Sequence, residues 1–214
     1  MQNASSLHPT RQLLLDSGLA MARQTGLRGL TVRGLCQQAG VNTGSFVYHF
    51  GNRESYLSEL IESWYTPLFD GLQARLVEDG APLARLRAML GQLMAFAAGE
   101  GGFISQLIMD AVAGEAAVQV FIAGLAPRHP RLLLQCLEQA QQAGEIDIAP
   151  PVHQFMFLMS ALGFPVLMSH LIGGKPGLPA LLHYALEHFA AEPDALQQRL
   201  EWAIRGLTPQ ERKA

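Results

Sequence analysis

Residues 31–50, TVRGLCQQAGVNTGSFVYHF, constrain the fold more than any other stretch of the chain. Val32, Leu35, Cys36 and Ala39 recur at helical spacing and give one apolar face. Gly40 stands where that pattern stops. Glycine reaches positive φ without steric cost, so it suits the turn that ends a helix. Thr31 is placed to cap this first helix, and Asn42 or Thr43 to cap a second. In each case a side-chain oxygen would accept an orphaned backbone N–H. Val41 plugs the corner, and the second helix carries Thr43, Ser45, Tyr48 and His49 outward. Two short helices across a tight turn form a helix-turn-helix, whose second helix enters the major groove. The expectation is a segment that binds DNA.

The flanks extend the pattern. Residues 9–24 read as a helix with Leu14, Leu15, Gly18, Leu19 and Ala22 on one face. After Gly51-Asn52 a longer helical pattern begins, with Leu57, Leu60, Ile61, Trp64 and Leu68. The short motifs Gly26-Leu27-Arg28-Gly29-Leu30-Thr31-Val32, Ala39-Gly40-Val41, Gly44-Ser45-Phe46, His49-Phe50 and Arg53-Glu54-Ser55-Tyr56-Leu57 follow one another at fixed spacing. Together they make residues 11–60, about a quarter of the chain, resemble the N-terminal domain of the TetR-type family of transcriptional repressors. The resemblance implies that His49 donates to a DNA phosphate and that the position of Tyr48 faces DNA. Arg53 stands where the family often has a lysine, keeping a cation at the start of the fourth helix, in a good place for a phosphate. Val47 departs from the pattern: it occupies the place of a tyrosine that touches a phosphate, and it cannot donate a hydrogen bond. The candidate DNA contacts are Thr31, Arg33, Asn42, Thr43, Ser45, Tyr48, His49 and Arg53.

The net charge of −3 over 214 residues hides a polarity. Residues 1–58 hold five arginines against Asp16 and Glu54, whereas the remainder holds ten basic against sixteen acidic residues. A basic head on an acidic body suits a protein that meets DNA with one end. Two distant cysteines, Cys36 and Cys136, imply neither a disulfide framework nor a zinc site. His183, Glu187 and His188 offer only the edge of a metal site, and a solvated helix face is the simpler reading. No basic region and cleavable apolar core mark a secretory leader, so the chain reads as cytoplasmic. There is no phosphate-binding glycine loop, G-x-S-x-G, H-E-x-x-H or paired-carboxylate pattern, so no enzyme, cofactor or metal is expected.

Every long segment beyond Arg53 has helical periodicity. Helices are expected near 53–78, 82–98, 103–113, 115–125, 128–143, 151–172, 178–190 and 194–206, with breaks at Gly99-Glu100-Gly101-Gly102 and a kink at Pro67. The sequence thus predicts an all-α fold of about nine to eleven helices: a three-helix head over residues 1–52 and a helical bundle over residues 53–214 that binds an effector and dimerises. Phe155 to Ile172 contains no Asp, Glu, Lys or Arg. A membrane span is set aside because Ser160, Gly163, Pro165, Ser169 and His170 interrupt it and no basic cluster flanks it. A helix buried on several sides fits better. The resemblance implies dimerisation through two C-terminal helices, here Val152–Ile172 and Asp194–Gly206, the second through Leu196, Leu200, Ala203, Ile204 and Leu207. It also implies a small, largely apolar effector in the body. Phe96, Phe103, Met109, Phe155, Met159 and Phe164 are candidates to line its pocket, although such residues at helical spacing are often plain core. Gln106, Asp110, His153 and His170 are the polar groups that would orient it. The expected partners are a palindromic operator in double-stranded DNA, that effector, and a second copy of the chain. A helical adaptor or small-molecule binder whose head has lost DNA affinity is the alternative that Val47 keeps open.

Overall fold

The computed structural model describes residues 9–209. These form eleven α-helices and one π-helical turn, with no strand among the described residues. In order they are α1 Pro9–Thr25, α2 Val32–Ala39, α3 Thr43–Phe50, α4 Arg53–Leu76, α5 Pro82–Val112, α6 Ala116–Ala123, α7 His129–Gln142, α8 Pro151–Leu158, the π turn Met159–Gly163, α9 Phe164–Ile172, α10 Ala180–Phe189 and α11 Pro193–Leu207. The all-α expectation holds, and α1 to α3 begin and end close to where capping and periodicity put them.

The packing groups the chain into two compact units. The first joins residues 1–67 to residues 103–124. Its core is Leu14, Leu27, Leu30, Leu35, Phe46, Tyr56, Leu57, Leu60 and Ile61, each almost wholly buried. Tyr56 meets the rings of Phe46 and Phe50 at 5.2 and 4.8 Å, and Trp64 meets Phe103 edge-on at 4.9 Å. Aromatic pairs in such tilted or edge-on geometry add to the stabilisation from burial alone. The second unit gathers residues 68–102 and 125–214. Its core includes Leu72, Leu86, Met89, Leu133, Leu137, Leu158, Leu162, Leu200 and Ile204. Buried Gln154 is satisfied there, donating to the Asp147 carbonyl and accepting from Gln141, both at 2.8 Å.

Three expectations change. Residues 99–102 do not break the chain: α5 runs unbroken from Pro82 to Val112. Each interior glycine costs about 1 kcal/mol relative to alanine. The alanines before the run and the buried Phe103 and Leu107 after it hold the helix together. α4, expected to kink or break at Pro67, is not broken there. A distortion appears elsewhere, in the uncharged run, as the π turn Met159–Gly163. Pro165 stands two residues beyond it and lacks an N–H, and in a regular α-helix its ring would crowd the carbonyl of Ala161; a wider turn just before it makes room. Finally, the face of α11 expected to meet a partner is buried within its own chain: Leu196, Leu200, Ala203, Ile204 and Leu207 are all under 8% exposed. Trp202, on the other face, is 61% exposed.

Candidate nucleic-acid interface

The motif is built by its caps. Thr31 Oγ1 accepts from the Gly34 N–H at 3.1 Å and starts α2. Gly40 ends it in the left-handed region, with φ of 67°, and the Val41 N–H reaches back to the Cys36 carbonyl at 3.0 Å. Asn42 Oδ1 then accepts from both the N–H and the hydroxyl of Ser45, at 2.8 and 3.2 Å, and starts α3. Phe46 and Phe50 anchor the inner side of α3 in the core. This leaves Thr43, Gly44, Val47 and Tyr48 exposed on one side, with Ser45 and His49 half-buried at its edges. Tyr48 is 83% and Val47 56% exposed.

The aromatic core fixes how α3 is carried. The Tyr56 hydroxyl donates to the Leu14 carbonyl at 2.8 Å and lies against Gly18, where a Cβ would come within 1.6 Å of the phenolic oxygen. Burial pushes the Tyr56 phenol well above its ordinary range, and the carboxylate of nearby Glu59 adds to this. The phenol therefore acts as a fixed donor. Arg11 pairs with Glu59 and stacks over the Phe50 ring at 5.5 Å, closing the outer edge of the aromatic cluster.

Arg53 is not where the sequence put it. Its guanidinium donates to the Leu30 and Leu27 carbonyls at 2.9 and 2.7 Å and pairs with Glu115 at 3.1 Å. That makes it an internal clamp on the loop between α1 and α2, rather than a cation held out for a phosphate. Asp110, expected to orient a ligand, holds the same loop from another direction. Its buried carboxylate accepts from the Leu27 N–H at 2.6 Å. Gly26 leaves room for it, since a Cβ there would stand 2.9 Å from the carboxylate. Neither contact has a local sequence signal, because both partners lie far along the chain. Among the remaining candidates Thr31, Arg33, Asn42 and Thr43 are exposed along α2 and the start of α3. Arg28 is exposed as well and supplies a further cation on this unit.

Residues 14–60 match the model of bacterial regulatory proteins of the tetR family. The head belongs to the tetR family. Over 86 residues this chain is 31% identical to the HTH-type transcriptional repressor KstR2 of Mycobacterium tuberculosis. That stretch is 40% of this chain and 43% of the relative, so the chain spans less than half the length of that curated relative. Across nearly the whole chain the fold is similar to that of reduced NemR of E. coli, with a TM-score of 0.72 and 20% identity over 94% of this chain and 100% of the other. It is also similar to that of AibR in complex with isovaleryl coenzyme A and operator DNA. There the TM-score is 0.63, with 15% identity over 94% of this chain and 98% of that one.

Behind this TetR-type head, the residues expected to line a pocket divide between the two units. In the first, Phe103 is buried against Trp64, Gln106 is half-buried, Met109 is 55% exposed, and Asp110 serves the clamp. In the second, Phe96, Phe155 and Met159 are half-buried, whereas His153, Phe164 and His170 are exposed. The His170 ring lies over Gly101, where a Cβ would approach it to 2.1 Å. The glycine run 99–102, expected as a break beside these residues, is helix. A groove of about 710 Å³ in the second unit is lined by other residues, among them Pro165, Leu186, Phe189, Arg199 and Trp202.

Proposed function

We propose that the chain is a cytoplasmic, homodimeric transcriptional repressor that binds palindromic operator DNA through α3 and releases it on binding a small apolar effector. Residues 1–52 are read as the DNA-binding part and residues 53–214 as the effector and pairing part. The observation that carries the DNA reading is the capped α2–turn–α3 motif, which holds Thr43, Val47 and Tyr48 outward on a head whose sequence is net basic. Helix–turn–helix dimers set two such helices in successive major grooves about 34 Å apart, which makes their sites palindromic. Pairing is supported by the stretch Pro151–Ile172, which is long and apolar enough to cross a membrane, yet only 17% of its most apolar window is buried within the chain. Val152, Met156, Phe164 and Trp202 are each more than half exposed. Apolar surface of that extent marks an interface. A small-molecule switch is supported by the neighbour AibR, solved with both an acyl-CoA thioester and operator DNA.

Selection of duplexes from a random pool, followed by mobility-shift titration, tests the reading. A palindromic site is expected, with affinity that falls steeply as salt rises because phosphate contacts release counterions. Sedimentation at micromolar concentration is expected to give a dimer, and Trp202→Arg to weaken it. Failure to enrich any sequence would leave the second reading, a helical binding protein whose head has lost DNA affinity.

A further inference from the structure

The bases that α3 reads follow from what α3 lacks. The strongest discrimination in the major groove comes from Arg or Lys on guanine, Asn or Gln on adenine and Asp or Glu accepting from cytosine, with Ser or Thr less selective and apolar groups packing on the thymine methyl. The eight residues of α3, TGSFVYHF, include no Arg, Lys, Asn, Gln, Asp or Glu. The nearest amide, Asn42, already accepts from the N–H and hydroxyl of Ser45 to cap the helix. The outward side consists of Thr43, Gly44, Val47 and Tyr48. Val47 is its one branched aliphatic side chain, and 56% of it is exposed. Gly44 precedes it by three residues, on the same helix face and about one turn earlier, and presents no side chain. The backbone of α3 can therefore approach a groove floor closely, with Val47 leading.

The floor of the major groove offers a single apolar group, the C5-methyl of thymine. Resting on the DNA-binding reading above, we propose that Val47 is a specificity-determining residue that reads one thymine in each half-site by packing its isopropyl group on the C5-methyl. The loss of a phosphate-directed hydroxyl at this position is then an exchange of backbone contact for base contact. Because Val47 touches little of the protein's own core, its contribution is realised on DNA and not in folding.

The test uses the full-length chain and an operator selected from random duplexes. Each thymine of the site is replaced in turn, symmetrically in both half-sites, by deoxyuridine. This removes the methyl and leaves base pairing intact. Binding is followed by fluorescence anisotropy. At one thymine position the replacement should weaken binding about fourfold per half-site, as withdrawing one methyl from contact predicts. Val47→Ala should bind the thymine operator as weakly as the wild type binds the deoxyuridine one, and should no longer distinguish the two. Its thermal melt should match the wild type, which separates a binding effect from misfolding. If no single thymine is sensitive, or if Val47→Ala keeps the wild-type ratio between the two duplexes, the inference is wrong while the DNA-binding reading stands. If the chain enriches no sequence at all, both fall.

Discussion

At the scale of single residues, the tightest constraint in the head is the pair Gly18 and Tyr56. The phenol lies where a Cβ on Gly18 would be, and its hydroxyl is held by the Leu14 carbonyl. Gly18→Ala is expected to destabilise the chain by about 1–3 kcal/mol, the usual range for overpacking a close-packed core. In the double variant Gly18→Ala, Tyr56→Phe the two costs should sum to less than their separate values, because the atom that collides is gone. Denaturant melts of the four chains read this directly, and strict additivity would refute the clash. His129 gives a pH-dependent case. Burial lowers its pKa from 6.5 to about 4, and the charge of Arg128 pushes the same way. Between those two pH values the unfolded chain takes up a proton that the folded chain refuses, so stability rises with pH across that window. It is complete above about 6.5 and is lost on acidification, by an amount on the order of 1–3 kcal/mol. Chemical denaturation at pH 7.5, 6 and 5 should show the decline, and His129→Gln should flatten it.

At the scale of elements, α5 invites a graded experiment because its glycines differ in surroundings. A Cβ at Gly99 or Gly102 would meet nothing within 4 Å, while one at Gly101 would strike the His170 ring. Gly99→Ala and Gly102→Ala are therefore expected to stabilise the chain by about 0.5–1 kcal/mol each, and Gly101→Ala to destabilise it. Equal shifts at all three positions, measured by denaturant midpoint, would contradict the placement of His170. The same helix shows where sequence stops being legible. Thr31, Gly40 and Asn42 announce α2 and α3 because capping is local: oxygen, turn and orphaned N–H lie within a few residues of one another. Residues 99–102 mislead because propensity is local, whereas the packing of Phe103 and Leu107 that overrides it is not. The same holds for α11. Its apolar periodicity is plain in sequence, but periodicity cannot say whether the covering surface comes from the same chain or another. Among the side chains read as outward on α3, Thr43 and Tyr48 are exposed, whereas Ser45 and His49 are half-buried and Val47 takes a place on the exposed side. Arg53 and Asp110 were misassigned because their partners, Glu115 and Leu27, are distant in sequence.

At the scale of the whole molecule, the organising fact is that residues 103–124 pack with the head. Both backbone polar groups of Leu27 are held, its N–H by Asp110 and its carbonyl by Arg53, and Arg53 is in turn held by Glu115. Asp110→Ala would strand a buried donor at a cost of about 1–3 kcal/mol. Hydrogen exchange at the Leu27 amide should accelerate, and unchanged protection there would disprove the contact. A chimaera that takes only residues 1–67 from this chain should likewise melt lower than one that also takes residues 103–124, since Trp64 would lose Phe103 and Tyr65 would lose Phe121. Helix–turn–helix heads invite treatment as interchangeable cassettes. Here the cassette is written in two separate passages of the chain, so recombination at a single junction could not carry it intact from one gene to another. On the DNA-binding reading proposed above, a change of operator preference would then come more readily by point substitution on α3 than by exchange of the head at one junction.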